Sequence, residues 1–497
     1  EDGQPHATAA AHAPAAGGEA SRAGAQTAPM TESQKGLLVL ARMSEQASSA
    51  YNESINVRLG GQLNVGAMRR AINKVVERHD ALRTSFSLES ETQIIAPPFN
   101  LEVPLTDLAE GDQAELEGRL NEWLAEGIEQ PFQLSTGPLV RARLARLGEQ
   151  DHVLSIVIHH IVTDGWSFDV LRKEISEFYL AEYQGLPFHL PPPMQFSEYV
   201  ERQAKAGQNN AQSAADEDYW MEQFAAPPPV LELPLDRPRP PVQTYNGARR
   251  RVSLDAALTQ ELKAYSARHG CTLFITLLTT FKVLLHGLTG QRDIVIGTHS
   301  AGQSTINAQN LIGFCINTLP LRSMVEENLT FTDYLLSIRG KVLDAYQHQN
   351  HPLSSLIKKL KLVRDPARPP LVNVVCNMDR SGPAPELSGL QVELIESPVV
   401  FARFDLLWNM QQTEGEVVID ATYNTDLFDG RSVKNWMENY QKLLRLFMEQ
   451  PGVTLGEMVS ALAEADVLRR DEESRDLKEA GLQTIKKARR KGVHAPG

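Results

Sequence analysis

Cysteine is scarce in this chain, with three in 497 residues: Cys271, Cys315 and Cys376, far apart and set among apolar neighbours. They read as small core residues in a reducing compartment. Positive charge is also short. The net charge of −13 argues against a nucleic-acid partner, because phosphate binding needs a basic surface. Long apolar runs are missing: the longest, residues 272 to 288, is broken by Lys282 and several threonines, whereas a membrane span needs roughly 20 mostly apolar residues. No membrane association is expected. No signal peptide pattern is visible, so a cytoplasmic location is expected, and the missing initiating Met suggests a piece of a longer polypeptide. No glycine-rich phosphate loop is found, which leaves nucleotide chemistry without its usual cradle. No GxSxG or Cys–His pairing appears either, so a covalent acyl-enzyme is not expected.

The chain does have hydrophobic residues in quantity, 42% of the total, enough for a large core in more than one lobe. The most restrictive stretch is HVLSIVIHHIVTDGWSFDVL, residues 152 to 171. Val153, Leu154, Ile156, Val157 and Ile158 leave almost no polar position, as expected of a strand covered on both faces. Neighbouring side chains on a strand point to opposite faces, so His159 and His160 should not share one cavity. That makes them a poor chelating pair, and no HExxH pattern or cysteine cluster assists, so no metal site is expected. One histidine should carry chemistry while the other packs. Asp164 and Gly165 form a turn, and Ser167 is expected to cap a helix with apolar positions Phe168, Leu171, Ile175 and Phe178.

The rest of the chain supplies the frame. Residues 1–28, small and polar with hardly a large apolar side chain, read as a flexible interdomain linker. Thr31 and Gln34 have capping-box spacing at the head of an amphipathic helix carrying Leu37, Leu38 and Met43. Residues 29–205 alternate helices and strands as an N-terminal lobe. A Pro-rich connection follows over 206–241, then a C-terminal lobe over 242–460. A charged helical tail, 461–497, has an acidic run at 471–476, basic residues at 486–491, and a weak apolar stripe of Leu477, Leu482 and Ile485.

His159-His160-Ile161-Val162-Thr163-Asp164-Gly165, with Trp166 and Ser167 after it, resembles the HHxxxDG signature of nonribosomal peptide synthetase condensation domains, relatives of chloramphenicol acetyltransferase. Six further segments resemble the family's other motifs in order. They include Glu77 to Phe86, Phe196 to Tyr199, Ile312 to Arg322, His348 to Leu353 and Arg364 to Leu371. The family usually carries arginine where this chain has Gln303. The resemblance implies an α/β fold of mixed sheets: two chloramphenicol-acetyltransferase-like lobes in a V-shaped pseudo-dimer with a central tunnel.

It also implies a reaction. An upstream carrier protein would present a donor acyl thioester and a downstream carrier an aminoacyl thioester, each on 4'-phosphopantetheine, and an amide would form between them. The protein would need no cofactor of its own, and its partners would be those carriers and neighbouring domains of a megasynthase. His160 would be the catalytic base or positioning group, and Gly165 would leave room for the pantetheine arm. Trp166, Ser167 and Asn317 would line the tunnel. Asp164 would be architectural, with Arg83 as its buried ionic partner and Arg78 as the runner-up, because an unpaired buried carboxylate is costly. His348 and His351 lack further ligands for a metal. An epimerisation relative, an ester-forming variant and a non-catalytic recruitment module stay as alternatives.

Overall fold

Two periodicities lay out the chain: strands covered on one or both faces, and helices with one apolar stripe. The computed structural model describes residues 24–207, 211–303, 308–380, 387, 389–413 and 415–469. In the first half, β1 (Gln26–Pro29), α1 (Glu32–Ala41), α2 (Glu45–Ser49), β2 (Asn52–Gly60) and α3 (Val65–Arg78) come in order. Next are β3 (Thr84–Ser87), β4 (Thr92–Ile95), β5 (Leu105–Asp107), α4 (Leu116–Glu129), β6 (Val140–Gly148) and β7 (Asp151–His159). Helices α5 (Gly165–Gln184), α6 (Phe196–Gly207) and α7 (Ala211–Gln223) follow.

The second half runs through β8 (Gly247–Leu254), α8 (Ala256–Arg268), α9 (Leu273–Thr289), β9 (Asp293–Ala301) and β10 (Ile316–Met324). Then come α10 (Phe331–Gln347), α11 (Leu353–Leu360), β11 (Val374–Arg380) and β12 (Gln391–Ile395). Strands β13 (Leu406–Gln412) and β14 (Val417–Asn424) and helix α12 (Gly430–Glu449) follow, and residues 455–469 are again helical.

These strands form a five-stranded sheet, β12-β2-β7-β6-β5, a six-stranded sheet, β10-β9-β11-β13-β14-β8, and a three-stranded one, β1-β4-β3. Both large sheets are mixed, with β5 parallel to β6 and β11 parallel to β13 and β9. Each large sheet has its own core. Strand β7 is buried from His152 onward, with α3 and α5 contributing Ile72, Val75, Leu171 and Ile175 to the first core. Helix α9 is buried without a break from Ile275 to His286 and centres the second, with Phe281 stacked on Trp408 at 4.9 Å. No single helix among the described residues is long and apolar enough to cross a membrane.

The division into lobes differs from the linear expectation. The linker assigned to 1–28 overlaps a strand, because residues 26–28 already pair with β4 as part of β1; residues 1–23 lie outside the described residues. The Pro-rich connection at 206–241 is packed rather than loose: Trp220, Phe224, Leu231 and Leu233 bury in the second core. The 242–460 segment also crosses back. β12 pairs antiparallel with β2, and Ala308, Leu311, Ile312 and Cys315 join the first core. Linear composition cannot show such returns, since the apolar residues involved suit either core. The tail begins as helix up to residue 469, anchored by buried Leu462; Leu477, Leu482, Ile485 and both charged runs lie outside the described residues.

Candidate active site

Strand β7 reaches its end at His159, and His160 opens a 3-10 turn through Val162. The two imidazoles therefore part, with opposite tautomers. His159 Nδ1 accepts from the Ile161 amide at 3.2 Å, which leaves Nε2–H for the Ser48 hydroxyl at 3.4 Å. Its ring packs near Tyr51 and Phe132. Burial, with the adjacent His160, pushes its pKa down to about 3, so this ring is a neutral packing group. His160 Nδ1 lies 2.7 Å from the Thr163 carbonyl. A carbonyl only accepts, so the proton is on Nδ1 and the Nε2 lone pair is left uncommitted. Among the described residues Nε2 has no hydrogen-bond partner. Burial lowers the His160 pKa against the opposing charge of Glu53, which keeps the ring neutral at neutral pH.

The walls around this ring come from both halves of the chain. Phe314 meets it at 5.0 Å between centroids. Glu53 of β2 places Oε2 3.5 Å from His160 Nδ1, and Arg403, between β12 and β13, donates to Glu53 Oε1 at 2.5 Å. Burial favours a protonated Glu53, but His160 and the Arg403 guanidinium outweigh it and hold its pKa below the usual range. His299 of β9 is near enough to feel the same charges. Burial, His160 and Arg403 bring it down to about 4. Glu53, Arg403 and His299 were not singled out from sequence. Glu53 is the one acidic residue of a strand that also carries Arg58, a faint signal; its nearness to His160 appears only once β2 is registered on β7, with Asn52 opposite His159.

Asp164 is fully buried, and here the expected partner was wrong. No arginine reaches it among the described residues. Gln303 Nε2 donates to Oδ2 at 2.6 Å, the Cys315 amide donates to the same oxygen at 3.0 Å, and the Ser167 amide and hydroxyl donate to Oδ1 at 2.9 and 2.7 Å. Burial nevertheless raises its pKa above the ordinary range, against those hydrogen bonds. Arg83 instead donates to the Ala96 carbonyl. Arg78 pairs with Glu174 of α5 at 3.1 Å, with His79 on the same carboxylate at 2.7 Å. The reason is geometric: α3 packs along α5, facing Glu174 rather than the 3-10 turn at its start. Gln303, the residue that departs from the arginine of the resembled motif, supplies a neutral donor.

The capping expectation is also revised. Asp164 is the N-cap of α5, and Ser167 is the third helical residue, closing a capping box. Ser167 is buried and also bonds Gly313 through its carbonyl and amide, so its hydroxyl is spent on structure, not presented to a passage. Asn317 is similar. Its amide donates to the Gln349 and His351 carbonyls at 2.8 and 2.7 Å and accepts from the Leu353 amide at 3.1 Å, fixing the loop before α11. Trp166 donates from its indole to the Gln309 carbonyl at 3.1 Å, tying α5 to the returning segment. Gly165 is exposed, and a Cβ built there would meet nothing within 4 Å. At the head of α1, Thr31 and Gln34 do form the expected capping box, and Leu37 and Leu38 are buried, whereas Met43 is exposed. The described residues hold no cluster of ligands for a metal; His348 faces Asp216 at 2.9 Å.

A neutral imidazole with an unoccupied Nε2 thus lies where residues of both mixed sheets meet, in a chloramphenicol-acetyltransferase-like fold. The family model described as the condensation domain matches residues 24–467, and the chain belongs to that family. A linear gramicidin synthase of Brevibacillus parabrevis is 35% identical over 434 residues, 85% of this chain and 6% of the relative. Phosphinothricin tripeptide synthetase PhsC of Streptomyces viridochromogenes is 35% identical over 441 residues, 88% of this chain and 40% of the relative. The chain thus spans well under half the length of these relatives. Among solved structures, the X-domain from teicoplanin biosynthesis aligns with a TM-score of 0.78 at 24% identity, over 86% of this chain and 96% of that one. A four-domain nonribosomal peptide synthetase bound to AMP and glycine aligns at 0.79 and 22%, over 87% of this chain and 34% of that one. These two show the shared fold.

Proposed function

We propose that this condensation domain forms an amide between a donor acyl thioester on an upstream carrier protein and the amine of an aminoacyl thioester on a downstream carrier. The observation that carries the reading is the free Nε2 of His160, its tautomer set by the Thr163 carbonyl. The thioesters arrive on 4'-phosphopantetheine arms as parts of the substrates. Exposed Gly165, with open space where a side chain would be, supports a role in leaving room for an arm or the donor. The V-shaped cleft and central tunnel belong to this proposal, as do the neighbouring megasynthase domains and a cytoplasmic setting, which the three free cysteines suit.

The amine nitrogen attacks the thioester carbonyl carbon. The C–N bond forms, the C–S bond breaks, and the amine proton passes to His160 Nε2 and then to the departing thiolate. Thioester aminolysis is downhill, so the main requirement is to bring two tethered ends together in line, with the proton transfer adding to it. Asp164 and its four donors hold the turn; they touch nothing that reacts.

The test incubates donor-loaded and aminoacyl-loaded carriers with the protein and follows intact mass. Gain of the donor acyl mass on the acceptor carrier is expected, and hydroxylamine, which cleaves the acceptor thioester but not the new amide, should release donor and aminoacyl groups together as a single hydroxamate. Carriers that bind without transfer would refute the reading and favour recruitment.

A further inference from the structure

The cluster opposite Nδ1 has no part in holding the fold's turn, and it spans both lobes. We infer that Glu53 is a positioning residue for His160, kept in place by Arg403, steadying the Nδ1–H tautomer and supporting the imidazolium that forms when Nε2 takes up the amine proton. The inference rests on the function proposed above and deepens it.

The geometry is over-determined. The His160 amide donates to the Tyr51 carbonyl at 2.7 Å, which ties the end of β7 to the start of β2, two residues before Glu53. Glu53 then divides its oxygens, with Oε2 3.5 Å from the ring and Oε1 on Arg403. Arg403 also donates from Nε to the Ala50 carbonyl at 3.1 Å, and its guanidinium lies 5.1 Å from the Tyr51 ring centroid. Arg403 belongs to the stretch returning from β12 in one large sheet to β13 in the other. A residue of that return therefore steadies the carboxylate beside the reacting ring.

The charges make this useful. While the ring is neutral, Glu53 and Arg403 cancel each other. When the ring gains a proton, it sits against Glu53, 3.5 Å away, and the carboxylate stabilises the new cation. Arg403 limits that stabilisation, so the ring does not stay protonated beforehand. The other titratable groups facing the ring are Asp164, His159 and His299. The two histidines are held neutral by burial and add no charge, and Asp164 is common to all the variants below.

The experiment titrates His160 by NMR in protein labelled at its histidine rings, with the signal assigned by its loss in His160→Gln, and records the acid limb of kcat/KM for amide formation alongside. Glu53→Gln should move the His160 titration and the acid limb down by about one pH unit, and Arg403→Gln should move both up by about the same. Arg403→Lys keeps the charge and should leave the titration near that of wild type. A Glu53→Gln protein whose His160 titrates as in wild type overturns the inference, even if activity falls, and so do shifts of both variants in one direction. Should Arg403→Gln fail to fold, Glu53→Gln decides alone. The titration needs no turnover: a wild type that forms no amide refutes the proposed function and leaves the Glu53 result legible.

Discussion

Two carboxylates flank His160, and the molecule buries them in different ways. Glu53 is paired with a guanidinium, and against burial the neighbouring His160 and Arg403 keep its pKa below the usual range. Asp164 has no cation among the described residues; four neutral donor contacts surround it, and burial still raises its pKa. The difference teaches that only the charge facing the ring needs a counter-charge. Asp164 aims both oxygens at backbone and side-chain donors of the turn and the returning segment, so its task is to fix shape, for which hydrogen bonds suffice. Glu53 aims one oxygen at an imidazole that must change charge, and there an ionic partner sets the balance.

The contrast can be broken first at Asp164. Asp164→Ala strips an acceptor from Gln303, Cys315 and Ser167 at once, and unfolding in urea should show a loss of about 3 kcal/mol or more, at roughly 1–3 per orphaned donor. A variant as stable as wild type would show that the turn holds without it. Gln303→Ala removes one of the contacts and should cost about 1–3 kcal/mol by the same measurement; a double-mutant cycle with Asp164→Ala should show strong coupling.

The neutral histidines sharpen the comparison from the other side. His159 and His299 fold with pKa values of about 3 and about 4, below the unfolded value near 6.5. Their stabilising share is complete above that unfolded value and is lost as pH falls below it, down to the folded values. Each should therefore contribute a slope of about 1.4 kcal/mol per pH unit below 6.5. Melting temperatures measured from pH 7 to pH 5 should fall steadily, and a flat profile would contradict the buried neutral assignment. The smallest expected effect is the most pointed: an Arg83–Asp164 double-mutant cycle should give no coupling beyond about 0.5 kcal/mol, because Arg83 serves the Ala96 carbonyl.

Much of the fold could be read from patterning. The apolar run before His159, interrupted only by Ser155, marked a strand covered on both faces, the spacing of Leu171, Ile175 and Phe178 marked α5, and Thr31 with Gln34 marked a helix start. These are local signals, carried by residues close in sequence. The partners of Asp164 were not legible, because Gln303 and Cys315 lie 139 and 151 residues away, and a rule that a buried carboxylate needs an arginine overlooks a full set of neutral donors. Glu53 and Arg403 escaped for the same reason: they are 350 residues apart, and the chain's return through β12 brings them together. His159 and His160 were expected to diverge by strand alternation. They do diverge, but by a different route, since the strand stops between them and a 3-10 turn carries His160 away.

The central claim is that amide formation passes through the Nε2 lone pair of one buried imidazole. A single-turnover reaction of His160→Ala with preloaded donor and acceptor carriers, followed by intact mass beside an unfolding curve, tests it most directly. The account predicts an unfolding midpoint near that of wild type and transfer slowed by about 10²–10⁴. A folded His160→Ala protein that transfers the donor at the wild-type rate would contradict it.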